Sequence, residues 1–240
     1  MAFAMNRYFH SPKEYIYHSK ELLLPSVRSL QNWLQDIVLE PGIMPTVLAT
    51  LQKNMENWPL KDRACTLLFD EISLKSNLYY DPKKDRVHGF CNTGEARSPE
   101  VAGTALVVAL SGISKQWIQP VAFMLGKVKI DAAPLKQLLL KLITDLKAAG
   151  IPVKALVCDQ GGSNRTVSRE LGVTPQHPFF MMDSEKVYFI FDAPHLLKCN
   201  RNNLRNGSVL RTKYHLVKWS YIKEVYELVH PLRARCEVAA

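Results

Sequence analysis

The chain has 240 residues, of which 31 are Lys or Arg and 22 are Asp or Glu, giving a formal charge of +9, and 47% of its residues are hydrophobic. This balance excludes an intrinsically disordered polymer and leaves room for one full core with one or two small appendages. No apolar run approaches the ~18–20 residues of a membrane-spanning helix, and Met1-Ala-Phe-Ala-Met-Asn-Arg7 is not followed by a long apolar segment with a cleavage site, so neither membrane insertion nor secretion is expected.

In chain order, Ser11-Pro-Lys-Glu-Tyr-Ile-Tyr17 opens a short helix. Pro25 to Ile37 opens another, with Ser26 as its cap and Val27, Leu30, Trp33, Leu34 and Ile37 on one face. Two short helices with a tight link can form a helix-turn-helix or a helical hairpin packed on a neighbour. Pro41-Gly42 and Pro45 close this segment.

From residue 61 the pattern changes to short apolar runs: Cys65–Phe69, Thr104–Leu110, Val121–Leu125, Val153–Cys158 and Val187–Phe191. Their length predicts five strands of one largely buried sheet. Asp81-Pro-Lys-Lys-Asp85 predicts a turn between Leu78–Tyr80 and Arg86–Phe90, and Ser111–Ser114 a second connection, so the early strands are expected to be antiparallel. Leu135, Leu138, Leu139, Leu142, Ile143 and Leu146 follow helical spacing, with Asp131 before them and Gly150 after. A strand, this helix and a further strand imply a right-handed parallel crossover, so the sheet is expected to be mixed: a three-stranded meander followed by helix-linked strands.

The five cysteines, Cys65, Cys91, Cys158, Cys199 and Cys236, form no CxxC pair and indicate neither a disulfide framework nor a zinc finger. A reducing compartment, cytosol or nucleus, is expected. Charge is uneven: residues 193–240 hold nine Lys/Arg and three Asp/Glu, a net +6 of the total +9. Such a stretch suits a polyanion, or is simply a solvated face. It is expected to be partly disordered unless it docks on the sheet domain.

Three of the apolar runs end in an aspartate: Phe69-Asp70, Cys158-Asp159 and Phe191-Asp192. A carboxylate at the edge of an apolar strand must be solvated, paired or bound to metal, because burying it alone is costly. If the first and fourth strands are neighbours, Asp70 and Asp159 can share Mg²⁺ or Mn²⁺, hard cations that favour oxygen donors. The alternative is that all three are loop caps and turn residues. Gln160-Gly-Gly-Ser-Asn-Arg165 reads as a strand-to-helix turn without P-loop spacing. Asp192 can cap a helix with Pro194 in its first turn; Lys198 and Arg201 are candidate phosphate contacts, and His195 reads as a helix-turn residue rather than a metal ligand.

Leu67-Leu-Phe-Asp-Glu71, Cys158-Asp-Gln-Gly-Gly-Ser-Asn164 and Asp192-Ala-Pro-His-Leu-Leu-Lys198, in this order and spacing, resemble the P element transposase family and its THAP-domain relatives. The likeness extends to Ala4-Met5, Tyr8-Phe9, Ser11–Tyr15 and Leu24–Leu34, similar to that family's helical segment before the catalytic domain. The resemblance implies an α/β, RNase H-like mixed five-stranded sheet flanked by helices, with an N-terminal helix-turn-helix-like segment. It implies a division into residues 1–45, the helical segment, 61–192, the RNase H-like transposase domain, and 193–240, the start of a GTP-binding insertion domain. It further implies cut-and-paste transposition of DNA in the nucleus with Mg²⁺ (or Mn²⁺). Asp70 corresponds to the first catalytic, metal-binding aspartate and Asp159 to the second. Asp192 and Lys198, and less securely Lys213, correspond to the GTP-binding region.

Two departures stand against this pattern. The family's zinc-coordinating THAP domain is absent, and the third catalytic acid, a glutamate beyond the insertion domain, has no counterpart before Ala240; Glu224 and Glu227 fall in an expected insertion-domain helix. The chain is therefore expected to be a truncated transposase with weak or no strand transfer. The alternatives are a non-catalytic, domesticated module that binds DNA, a protein partner or another transposase chain, and a GTP-binding protein without DNA chemistry.

Overall fold

Local sequence signals decide the first unit, residues 1–40. In the computed structural model, which describes residues 1–35, 39–82, 84–207 and 209–237, this unit holds three helices. These are α1 (Ala2–His10), α2 (Pro12–His18) and α3 (Val27–Gln35). Ser11 caps α2 by accepting the Glu14 amide at 3.2 Å, and Ser26 caps α3 by accepting that of Ser29 at 3.1 Å. Ala4, Tyr15 and Leu30 are buried together, ringed by Met5, Tyr8, Leu24, Val27 and Trp33, and the Tyr15 hydroxyl donates to the Pro25 carbonyl at 2.6 Å. Two helices were expected here; α1 escaped because Met1 makes no side-chain cap and its first turn holds no acid. Ile37, placed on the apolar face of α3 by its spacing, lies outside the described residues, as do Lys83 and residues 238–240.

The second unit begins at Pro41, and Gly42–Ile43 (β1) pairs with a later strand. In order follow α4 (Pro45–Met55), α5 (Leu60–Arg63), β2 (Cys65–Ser73), the hairpin β3 (Tyr79–Asp81) and β4 (Arg86–His88), β5 (Phe90–Asn92), β6 (Arg97–Val101), β7 (Thr104–Gly112) and β8 (Ile118–Gly126). Then come α6 (Ala132–Ala148), β9 (Val153–Cys158), α7 (Gly162–Glu170), β10 (Phe179–Met182), β11 (Glu185–Phe191), α8 (Ala193–Arg205), β12 (Leu210–Arg211), β13 (Leu216–Val217) and α9 (Trp219–Glu237).

All five expected strands are present, and their order across the sheet is β8-β7-β2-β9-β11. The first three form an antiparallel meander, while β9 and β11 run parallel to β2, as the crossover required. The sheet has nine strands rather than five: β10 extends one edge, β5 and β6 the other, and β1 pairs with β8. The additional strands are two to five residues long and lack apolar alternation. Arg97-Ser-Pro-Glu-Val101 even contains a proline, which an edge position tolerates.

The six apolar residues singled out on α6 are all buried. With Leu51 and Met55 of α4 and Val167 of α7 they cover one sheet face, formed by Leu67 and Phe69, Leu106, Val108 and Leu110, Leu156 and Cys158, and Val187 and Phe189. The intervening residues point the other way. Leu68, Val107, Ala109 and Val157 are only half-buried there, and Tyr188 and Ile190 are exposed.

Beyond the sheet, the described residues form α8, the β12–β13 hairpin and α9. The apolar residues of Trp219 to Val229 recur at helical spacing and form α9, although Tyr221, Ile222, Val225 and Leu228 are exposed. No helix among the described residues is long and apolar enough to cross a membrane.

Cys65, Cys91 and Cys158 are buried free thiols and Cys199 is exposed. Burial pushes the Cys65 thiol up to about 12. Iodoacetamide at pH 8, followed by peptide mass mapping, is expected to modify Cys199 in the native chain but Cys65 and Cys158 only after denaturation.

Candidate active site

β2 and β9 are parallel neighbours, with Leu67 level with Leu156 and Leu68 level with Val157. Continuing by two residues sets Asp70 level with Asp159. β11 pairs with the other side of β9, with Phe191 level with Cys158, so Asp192 continues the row. The Asp192 amide also donates to the Cys158 carbonyl at 2.8 Å. Asp70 thus lies within β2 while Asp159 and Asp192 follow directly on the last residues of β9 and β11, three neighbouring strands whose spacing is about 4.8 Å. One expectation needs correction: Asp70 does not end its strand, because β2 continues to Ser73 against β7.

The alignment depends on an irregularity. Cys65 is level with Val153 but Thr66 with Ala155, so β9 carries one extra residue, Lys154, at this point. Lys154 is exposed and bonded to Glu185 of β11 at 2.9 Å.

Each carboxylate has one oxygen held. Asp159 Oδ1 accepts from the Gly161 amide at 2.8 Å and from Asn164 Nδ2 at 2.7 Å. A side chain at position 161 would sit 2.9 Å from that oxygen, so glycine lets the turn close over the acid. Asp70 Oδ1 accepts from the Glu71 amide at 2.8 Å. Asp192 Oδ2 accepts from the His195 amide at 3.3 Å and meets His195 Nδ1 at 2.7 Å, which makes it the N-cap of α8. The second oxygen of each has no hydrogen-bond partner among the described residues.

Asp70, Asp159, Asp192 and His195 line an open depression of about 340 Å³, on the less covered sheet face, with Leu68, Val107 and Val157 as its floor. The carboxylates do not converge on one point: among the described residues, no three His, Cys, Asp or Glu side chains are grouped to hold a metal ion. Cys158 sits beside the row facing the core, and its thiol is pushed up by burial first and then by Asp159 and Asp70. A larger cavity of about 760 Å³ lies between α4 and α6 on the opposite, helix-covered side, remote from these acids.

Of the residues read from sequence, the structure gathers Asp70, Asp159 and Asp192. Lys198 on α8 and Lys213 in the β12–β13 turn are exposed and do not line the depression, so the three candidate nucleotide contacts are not brought together there. His195 and Asn164 were missed as site residues. Asn164 follows Asp159 at the start of α7, where an Asx-type turn was the available signal. Glu71, next to Asp70, points to the opposite face; its Oε1 accepts the Ile130 amide at 2.9 Å, which ties β2 to the segment leading into α6.

Residues 39–172, which carry Asp70 and Asp159, match the family described as TNP-like, RNase H N-terminal domain. The chain belongs to that family. It is 29% identical to human DNA transposase THAP9 over 241 residues, covering 94% of this chain and 26% of that protein. It is 26% identical to the transposable element P transposase of Drosophila melanogaster over 216 residues, covering 89% and 26% respectively. A solved structure, the Drosophila P element transposase strand transfer complex, superposes with a TM-score of 0.74 at 26% identity, over 94% of this chain and 48% of that chain. The chain therefore spans about a quarter of the length of the curated relatives it matches. The mixed sheet flanked by helices is the RNase H-like fold of the TNP-like family, and Asp192 lies beyond the matched segment.

The neighbouring acids of β2 are expected to separate cleanly by stability. Glu71→Ala leaves the Ile130 amide without its acceptor and should cost about 1–3 kcal/mol in urea unfolding, whereas Asp70→Asn, on the open side, should stay within about 0.5 kcal/mol.

Proposed function

We propose that the chain supplies the first two acids of a metal-dependent DNA cleavage and strand-transfer site of the P element transposase type, acting in the nucleus on transposon ends or non-specific duplex. The observation that carries this reading is the level row of Asp70, Asp159 and Asp192, with free carboxylate oxygens over an open depression. It is supported by relatives named as DNA transposases and by the likeness to a strand transfer complex. In the same reading, residues 1–45 are the helix-turn-helix-like segment, 61–192 the RNase H-like transposase domain and 193–240 the start of a GTP-binding insertion domain.

Asp70 and Asp159 suit Mg²⁺ or Mn²⁺, which need only one or two protein carboxylates when water and substrate phosphates complete the shell. When bound, such a cation offsets charge on the phosphodiester and makes water or a 3′-hydroxyl a better nucleophile. The chain's own residues orient this chemistry. Gly161 and Asn164 fix Asp159, the strand backbone fixes Asp70, and Asp192 holds His195 by Nδ1, leaving Nε2 for a phosphate oxygen or water. The open floor admits an extended polymer more readily than an enclosed small molecule.

The test is nicking of supercoiled plasmid with Mg²⁺ or Mn²⁺ by the native chain, Asp70→Asn and Asp159→Asn. Salt-sensitive DNA binding is expected in all three, with weak nicking that both substitutions abolish and little or no strand transfer. Nicking that survives both substitutions would remove the two acids from the mechanism. Binding without nicking in all three would favour a second reading, a non-catalytic domesticated module that binds DNA, a protein partner or a full-length transposase.

GTP binding by Asp192, Lys198 and Lys213 has less support, because Asp192 is engaged by His195 and the lysines lie outside the depression. Titration with GTP, with Lys198→Ala as control, is expected to give little affinity and no difference between the two proteins.

A further inference from the structure

The strand that carries Asp70 leads directly into an arm. At about 3.3 Å per residue, Ser73 at the end of β2 stands about 10 Å beyond Asp70, and the chain then forms the β3–β4 hairpin before re-entering the sheet at β5. The base of this arm is fixed backbone to backbone. The Leu74 amide donates to the Gly103 carbonyl at 2.8 Å, and the Ala102 amide to the Gly89 carbonyl at 2.7 Å. Gly89 has φ +108°, and a Cβ there would lie 2.2 Å from the Asn77 carbonyl oxygen. The arm is therefore anchored at a defined place beside the carboxylate row.

Beyond the base, the side chains face solvent. Residues 74–80 are all exposed, as are Lys84, Val87 and His88; Tyr79 is 63% exposed and stands opposite His88 across the hairpin. The charges are arranged asymmetrically. Asp85 accepts the Tyr80 hydroxyl at 2.7 Å, and Asp81 is also partnered, whereas Lys75 and Lys84 have no ion-pair partner among the described residues. Free lysines meet phosphates, and an exposed aromatic face stacks on a base.

We infer that the β3–β4 hairpin is a DNA-contacting arm: Lys75 and Lys84 meet backbone phosphates beside the bond presented to Asp70 and Asp159, and the Tyr79 ring stacks on an unpaired base at the strand end. This rests on the reading of the carboxylate edge as a DNA site. Charge complementarity and continuity with that edge favour DNA over a protein partner for the exposed Leu78 and Val87.

The test is fluorescence anisotropy of the full chain with a labelled duplex bearing a single-stranded overhang and with its blunt counterpart, over a salt series. The variants are Lys75→Ala with Lys84→Ala, Tyr79→Ala and Tyr79→Phe, all at exposed positions, and each is checked for unchanged thermal unfolding. The double lysine variant is expected to bind both DNAs more weakly and to reduce the slope of log affinity against log salt by about 1.8, near 0.9 per phosphate. Tyr79→Ala is expected to weaken binding of the overhang about tenfold while the blunt duplex changes by less than about twofold, and Tyr79→Phe to restore it. If the native chain binds DNA and the hairpin variants match it in affinity and slope, the arm assignment fails while the carboxylate-edge reading stands. Hairpin variants that keep DNA binding but lose self-association would reassign the arm to a protein contact. A native chain without salt-dependent DNA binding would overturn both readings.

Discussion

Parallel strands cannot be joined by a tight turn, so pairing β2 with β9 obliges the chain to travel across the sheet through a long connection. That constraint organises the second unit. α6 makes the crossing, its apolar stripe covers the sheet it crosses, and β9 ends beside the point on β2 where Asp70 stands. β11 then adds in the same direction, so a third strand delivers its last residues to the same place. Carboxylates that lie far apart in the sequence become neighbours because one crossover and one parallel addition leave them nowhere else to go.

The same alternation that builds the core builds the site. Leu67 and Phe69 point into the packed layer and Leu68 and Asp70 point away from it, so the acid and the hydrophobic anchor beside it are set by a single choice of face. Glu71 then falls back on the covered side, where its carboxylate serves the backbone of Ile130. Two adjacent acids on one strand have unrelated duties because a pleated strand separates them.

The sheet and its acids were legible because their signals are local and strong. Each long strand is an apolar run, α6 is a six-residue stripe at helical spacing, and an aspartate closing three separate runs is a pattern that chance seldom supplies. The short strands were not legible: β1 and β5 draw their order from a neighbour that is already in place, and Arg97–Val101 reads as a polar loop. The partnership of Asp192 with His195 was hidden for a related reason. A residue at an N-cap looks the same in sequence whether its side chain merely starts a helix or also fixes an imidazole, and only the three-dimensional row of acids distinguishes the two. The helix after residue 218 was legible from Tyr221–Leu228, although most of its apolar residues are exposed.

The bulge at Lys154 decides which residue stands level with Asp70. If β9 kept Lys154 but paired without the bulge, the register that sets Cys65 against Val153 would run on to set Asp70 against Cys158, and Asp159 would point to the opposite face. The side chain at position 154 is exposed and can vary, and the residue itself is the one the ladder leaves unpaired, whereas the residue count from Ala155 to Asp159 is fixed by the pairing. Loss of Lys154 alone should therefore straighten the ladder and leave the acids level, whereas a single-codon deletion or insertion between Ala155 and Asp159 should move Asp159 to the opposite face even when it spares every acid.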